Sequence, residues 1–251
     1  MSWLSLQRRD TQLSELMDDP ACDLDGLRRT YAQFGSVNSL VAGWGRVYRQ
    51  HLRPRLSRDR PHRLLDIGCG GGDVPRALAR WAARDGFTLR ITAIDADARA
   101  IAYAAAQPPV SGLTFRQALS GDLVRQGHSF DLVTSNHLLH HLTDAELRTV
   151  LLDSEALCRD AEGRGGGLAV HSDIQRSPLA YAAFRVGVAP LFRGSFIGVD
   201  GLRSIRRSFT APELAALAPP GWQVQTLPPY RNLLLYDAAT ALSDTGAPAR
   251  A

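Results

Sequence analysis

The sequence predicts an α/β fold in which a mostly parallel sheet carries helices on both faces, with an N-terminal helical cap and an insertion after the fifth strand. Three observations point there. From Arg63 onward, short apolar runs alternate with stretches of helical periodicity, the pattern of a parallel sheet. The run LLDIGCGGGD, residues 64–73, takes an apolar strand through an acidic residue and a block of glycines directly into a helix. Two closely spaced runs near the end, 222–227 and 232–236, read as a strand pair.

The elements follow in order. Residues 1–60 read as the helical cap. Asp23 caps a helix through Leu27, Tyr31 and Phe34 that stops at Gly35. A second helix over 37–52 sets Leu40, Val41, Trp44, Val47 and Tyr48 at helical spacing. The Arg/Pro-rich stretch 53–62 is a linker. After the strand 63–67 and its glycine turn, a helix over 73–84 lines up Val74, Ala77, Leu78, Trp81 and Ala82 on one face. Strand two, 89–94, ends in Asp95, and Asp97 caps the helix 98–106. Strand three is short, 113–116, and strand four spans 130–135. Thr143 and Glu146 form a capping box for a helix running to residue 159. Strand five covers 168–173. The insertion 174–210 opens a helix at Ser177-Pro178, and Thr210 with Glu213 makes a second capping box. The main domain spans 61–240, and 241–251 is a flexible tail.

Composition limits the alternatives. A chain of 251 residues with 45% hydrophobic content suits one α/β domain with an appendage. No apolar run reaches the ~18 residues of a membrane span, and the start, Met1-Ser2-Trp3-Leu4, lacks a basic-then-apolar signal pattern. Cys22, Cys69 and Cys158 are odd in number and far apart, so neither a disulfide framework nor a zinc site is expected. These features predict a cytoplasmic protein with no bound metal. The net charge is +4, and the 29 basic residues are all arginine, a coding bias rather than a patch. Arginines concentrate at 53–63 and 203–207 without forming a face, so no nucleic-acid partner is expected. Monomer and homodimer both remain compatible with the sequence.

The glycine turn carries the chemistry. Glycines let the backbone approach a ligand and turn with positive φ, and the next helix offers unpaired N–H groups. The spacing is Gly68-x-Gly70-x-Gly72, with Val74 rather than glycine two residues on, which departs from the dinucleotide pattern. Asp66 would repel a pyrophosphate but not a cofactor with a cationic amine and a sulfonium. The run resembles motif I of the class I S-adenosylmethionine (SAM) methyltransferases, and the resemblance extends over residues 60–238. It implies the Rossmann-like, seven-stranded fold of that family. It also implies SAM as cofactor, held by Asp66, Gly68, Cys69, Gly70 and Gly72, by Asp95 and Ala96 after strand two, by Ala118 and Leu119 after strand three, and by Asn136 after strand four. Many relatives place an aspartate where this chain has Leu119, and Asp122 is a possible substitute toward adenine.

The segment FDLVTSNHLLHHL, residues 130–142, is similar to the family's fourth motif and its continuation. Strand four should deliver Asn136 and His137 to the carboxyl edge of the sheet. A protonated acceptor such as a phenol needs a base, and histidine is the natural one. The candidates are His140 first, then His137 and His141, with His171 beside Asp173 on strand five as a further one. Tyr31 and Phe34 of the cap, with Arg176, Tyr181 and Arg185 of the insertion, are the expected substrate lining. The resemblance, nearest to the ubiquinone/menaquinone methylase group and bacterial methyltransferases of phenolic polyketides, implies a small aromatic acceptor, a phenol or quinol oxygen of a secondary metabolite or quinone-like compound. Two other readings stay open: a SAM-binding partner or regulator without catalysis, and an NAD-dependent oxidoreductase, which the glycine spacing, Asp66 and the lack of lysine oppose.

Overall fold

The computed structural model describes residues 6–159 and 166–244. Seven strands form one sheet: β1 (His62–Ile67), β2 (Leu89–Asp95), β3 (Leu113–Gln117), β4 (Leu132–Asn136), β5 (Leu168–Ile174), β6 (Trp222–Leu227) and β7 (Arg231–Asp237). Their order is β3-β2-β1-β4-β5-β7-β6, and β7 alone runs antiparallel to its neighbours. The helices between them are α3 (Asp73–Arg84), α4 (Ala98–Ala106), α5 (Ser120–Arg125) and α6 (Asp144–Leu157), then α7 (Pro178–Ala183), α8 (Ile197–Arg207) and α9 (Ala211–Leu217). Ahead of them lie α1 (Leu24–Val41) and α2 (Trp44–Val47), and α10 (Ala238–Asp244) follows β7.

Alternation along the strands divides the core. Leu64, Ile91, Leu132, Val170 and Leu235 face one layer, with Leu78 and Ala82 of α3 and with Trp44, Val47, Tyr48 and Leu52. Leu65, Ile94, Val133, Ala169 and Tyr236 face the other, with Leu123 and Leu157. β1, β4 and β5 read as nearly continuous buried runs because both their faces are covered. β3 and β6, at the sheet edges, alternate partly buried and exposed. Both predicted capping boxes form, at Thr143 with Glu146 and at Thr210 with Glu213.

The cap departs from the expected pattern. The first helix does not stop at Gly35 but runs to Val41, and the chain reverses at Gly43, where φ is +67°. Gly35 is an interior residue of α1 with helical φ, near Asp73, and Asn38 Nδ2 donates to Asp73 Oδ2 at 2.8 Å. What was expected as one helix over 37–52 is thus split, with α2 continuing as a π turn, Tyr48–Leu52, and a 3-10 turn, Arg53–Arg55. The side chains of Leu40 and Val41 and residues 245–251 of the expected tail lie outside the described residues. Residues 10–22 form no α-helix; they make a strap pinned by an ion pair (Arg206 to Asp10, 2.6 Å) and a hydrogen bond (Arg203 Nη1 to Ser14 O, 2.6 Å). No described helix is long and apolar enough to cross a membrane.

The parallel register places the site. Ile67 pairs with Ile94 and Ser135, Asn136 with Ser172, and Ile174 with Arg231. The glycine turn, Asp95, Asn136, Asp173 and Arg231 therefore meet at one edge, where the strand order reverses between β1 and β4. Gly72 (φ +80°) closes this turn, and a Cβ there would lie 2.7 Å from the Phe115 ring. A left-handed φ costs alanine about 1–2 kcal/mol, and the overlap adds about 1–3 kcal/mol. Gly72→Ala should therefore lose about 2–5 kcal/mol in urea denaturation. A loss below about 1 kcal/mol would mean that the turn does not need glycine there.

Candidate active site

The carboxyl edge borders a cavity of about 480 Å³. One end is built from the glycine turn. Gly68 and Gly70 both have positive φ, and the Gly70 N–H donates to Asp95 Oδ2 at 2.8 Å. Asp95 Oδ1 accepts from the Asp97 N–H at 2.9 Å, so the end of β2 and the turn after β1 share one carboxylate. Asp97 itself caps α4. Asp66 is buried and accepts from Thr134 Oγ1 at 2.8 Å. Burial first, and then the neighbouring Asp73 and Asp95, push its carboxyl up to about 7. Burial also raises Asp73 and Asp95 above the usual carboxylate range. Three carboxylates on one wall make this end selective for a cation and hostile to a pyrophosphate. Cys69 borders the cavity as a thiol whose pKa burial pushes up, so it is no nucleophile.

Ala96, Ala118, Leu119 and Ser120 continue this wall. Asp122 does not join it: its carboxylate accepts from the Leu119 N–H at 2.9 Å and pairs with Arg125, closing the start of α5. It is therefore unavailable as the substitute toward an adenine that the sequence allowed.

The other end gathers the histidines. His137 has φ +56°, and its Nε2 accepts from Arg231 Nη1 at 2.6 Å. Burial and that guanidinium hold it neutral, with its pKa well below the ordinary value. Its Nε2 lone pair is committed to Arg231, which removes that nitrogen as a base. Arg231 also donates to Asn136 Oδ1 (2.7 Å) and Ser172 Oγ (2.8 Å). It is the largest fully buried side chain of the described residues, and burial lowers its pKa to about 10.

His140 lies between two carboxylates. Its Nδ1–H donates to Asp173 Oδ1 at 2.7 Å, its backbone N–H donates to Asp173 Oδ2 at 2.7 Å, and its Nε2 stands 3.2 Å from Glu15 Oε1. Burial opposes the charge, but the two carboxylates prevail and push the imidazole up to about 9. At neutral pH it is thus an imidazolium with both N–H groups engaged, which is not the free base expected from sequence. His141 is half-buried; its Nδ1 lies 3.1 Å from Asp18 Oδ2, and its Nε2 is 3.9 Å from Glu15 Oε2, beyond hydrogen-bond reach.

Tyr31 and Phe34 line the cavity as expected. The arginine and tyrosine of the insertion do not. Arg176 is buried elsewhere, donating to Leu6 O, Ser208 O and Glu213 Oε1. Arg185 is exposed, and neither it nor Tyr181 borders the cavity. Ala180, Phe184, Val188, Ile197 and Ile205 supply the apolar lining instead. His171 is also not a site residue. It sits between Ser135 Oγ (2.7 Å) and Ser154 Oγ (3.1 Å), stacked on Trp222, and burial lowers its pKa to about 3. Two residues at the cavity, Glu15 and Arg231, were given no role from the sequence. Each reaches the site only through contacts distant along the chain, and no local spacing marks either.

Comparison with known proteins bears on the fold. Residues 64–161 match the family described as a methyltransferase domain. Among solved structures, the chain is similar to the plantazolicin methyltransferase BpumL in complex with a pentazolic desmethylPZN analog and SAH, at 12% identity and a TM-score of 0.53 over 85% of this chain and 96% of that one. It is similar to human N-acetylserotonin methyltransferase in complex with SAM, at 14% identity and a TM-score of 0.58 over 86% of this chain and 56% of that one. A SAM-dependent methyltransferase from Aquifex aeolicus aligns at 12% identity and a TM-score of 0.53 over 85% of this chain and 97% of that one. At these identities the likeness is one of fold. No curated protein matches the chain.

Arg231 ties the ends of β4 and β5 together, and its loss would leave Asn136, His137 and Ser172 without their donor. A buried group stripped of its partner costs about 1–3 kcal/mol. Arg231→Leu should lower the unfolding free energy by at least about 2 kcal/mol in chemical denaturation. An unchanged midpoint would show that this buried guanidinium contributes nothing to the edge.

Proposed function

We propose that this chain, whose residues 64–161 match a methyltransferase domain, transfers a methyl group from SAM to the oxygen of a small aromatic acceptor, a phenol or quinol. One observation carries the reading. A single cavity joins a carboxylate wall suited to a cationic cofactor with an apolar chamber that ends in His137, His140 and His141. One of the similar structures is a methyltransferase named for N-acetylserotonin, a small aromatic compound.

The residues fit the cofactor. Gly68 and Gly70 keep the turn free of side chains, Asp66 answers an amino group, Asp95 offers carboxylate oxygens to ribose hydroxyls, and Ala118 with Leu119 gives an adenine a flat apolar bed. SAM supplies an electrophilic methyl on sulfur. The chain's own part is position and proton handling. Phe34, Phe184, Ile197 and Ile205 hold a flat acceptor and exclude water, and such positioning can supply up to ~7–11 kcal/mol of the barrier. The hydroxyl proton passes to His141, whose Nε2 lies beyond hydrogen-bond reach of Glu15, as the oxygen takes the methyl. Methyl transfer followed by mass spectrometry, with catechols, hydroxyquinones and hydroxyindoles as acceptors, tests the reading; turnover with none of them, in a protein that binds SAM, would favour a non-catalytic SAM-binding role.

The Asp66 carboxyl gives a pH signature. A bound cation favours its ionised form, so binding releases a proton below pH ~7 and none above it. SAM should therefore bind about tenfold more tightly at pH 8 than at pH 6 by calorimetry. Asp66→Asn should weaken binding at pH 8 and flatten the profile. A wild-type Kd independent of pH would remove Asp66 from the cofactor site.

A further inference from the structure

We propose that Glu15, His140 and His141 form a site for a first-row divalent cation, of which zinc is the simplest case, at the acceptor end of the cavity. The site stands on its own geometry; the catalytic use made of it rests on the methyltransferase reading above.

The ligand set comes first. One ring nitrogen each of His140 and His141 and a Glu15 carboxylate oxygen lie within 4.8 Å of one another. Glu15 Oε1 is 3.2 Å from His140 Nε2, and Glu15 Oε2 is 3.9 Å from His141 Nε2. Donors about 2.0–2.1 Å from a tetrahedral zinc stand about 3.4 Å apart, so modest side-chain rotation closes these atoms around an ion. Two imidazoles and one carboxylate suit a transition metal rather than calcium or magnesium. The two rings lie side by side, with centroids 4.3 Å apart, as consecutive residues of the turn Leu139–His141.

The surroundings favour ligation over a simple ion pair. Both Nδ1 atoms meet separate carboxylates, Asp173 at 2.7 Å and Asp18 at 3.1 Å, while both Nε2 atoms converge on Glu15. Carboxylates placed in this way fix the ring orientation of metal-ligating histidines and raise their basicity. Glu15 is fixed as well, accepting from Ser204 Oγ at 2.7 Å. The nearby guanidiniums of Arg9 and Arg207 are turned to the carbonyl oxygens of His140 and His141, not to the ligating atoms. Without a cation, the charges of His140 and Arg231 are offset by Glu15, Asp173 and Asp18, so the cluster does nothing to favour an ionised acceptor oxygen.

A cation changes that balance. It takes the place of the His140 Nε2 proton, which leaves to solvent, and three protein ligands leave at least one position open to the cavity. There it lowers the pKa of an acceptor hydroxyl, whose proton passes to water rather than to a histidine. The C–O bond then forms as the methyl–sulfur bond breaks, and the electron pair stays on sulfur. Acceptors with a second oxygen beside the hydroxyl, such as catechols and ortho-hydroxy ketones, are the class this arrangement selects.

The test uses the full chain after chelator treatment. Zinc is titrated calorimetrically, cobalt(II) is added to parallel samples for visible absorption, and S-adenosylhomocysteine binding is measured in the same samples. The expected result is one equivalent of zinc and cobalt d–d bands of a low-coordinate N/O site. Glu15→Gln and His141→Ala should weaken zinc more than tenfold, and Asp18→Asn about tenfold, with S-adenosylhomocysteine affinity changed less than twofold and circular dichroism unchanged. Absence of stoichiometric uptake of either ion overturns the proposal, as does equal zinc binding by wild type and both ligand variants. If zinc fails while S-adenosylhomocysteine binds, only the metal site is lost; if zinc binds and S-adenosylhomocysteine does not, the metal site stands and the methyltransferase reading falls.

Discussion

The buried carboxylate of Asp173 organises this molecule. It closes β5 and accepts from both the backbone N–H and the imidazole of His140, each at 2.7 Å, while the Ile174 N–H fills a further acceptor position at 2.7 Å. With its hydrogen bonds made inside the protein, an ion so deeply buried is held in the charged form, and His140 keeps it well below the usual carboxylate range. The pair fixes the turn after β4, and through Glu15 that turn fixes the strap ahead of α1. Arg9 and Arg207 complete the join by holding the carbonyl oxygens of the same turn. A segment at the start of the chain and the end of β5 thus become parts of one wall.

That wall faces another of different chemistry. Asp66, Asp73 and Asp95 crowd the glycine turn, and burial raises the pKa of each, Asp66 to about 7. The apolar residues of α1, α7 and α8 lie between the two ends. The division is what transfer chemistry asks of a pocket: a cationic donor is held at one end, the acceptor at the other, and water is excluded from the line between them.

What could be read from the sequence was local. Residues 64–73 announced their turn because a strand, glycines and a helix start sit within one short run. Asp95 and Asn136 followed because parallel register puts the strand ends together. Gly35 misled because a glycine suggests a helix end, whereas here it sits inside α1, and the left-handed residue is Gly43. His140 was found but its state was not, since the two carboxylates that charge it come from Glu15 and Asp173, far away in the chain. Arg176 had the same fate: an arginine in an aromatic insertion reads as a ligand contact until Glu213 and Ser208 are seen to hold it. Glu15 and Arg231 were silent because a lone charged residue reads as surface unless the fold shows it buried.

The central claim is that one cavity binds a sulfonium nucleoside at its acidic end. Thermal denaturation of the full chain with SAM, S-adenosylhomocysteine and NADH, each in parallel, tests it most directly. At ~100 times its Kd a ligand adds about 2.7 kcal/mol, a shift of about 5–11 °C for a chain of this size. The account predicts stabilisation by SAM and S-adenosylhomocysteine and none by NADH. Stabilisation by NADH alone would contradict it.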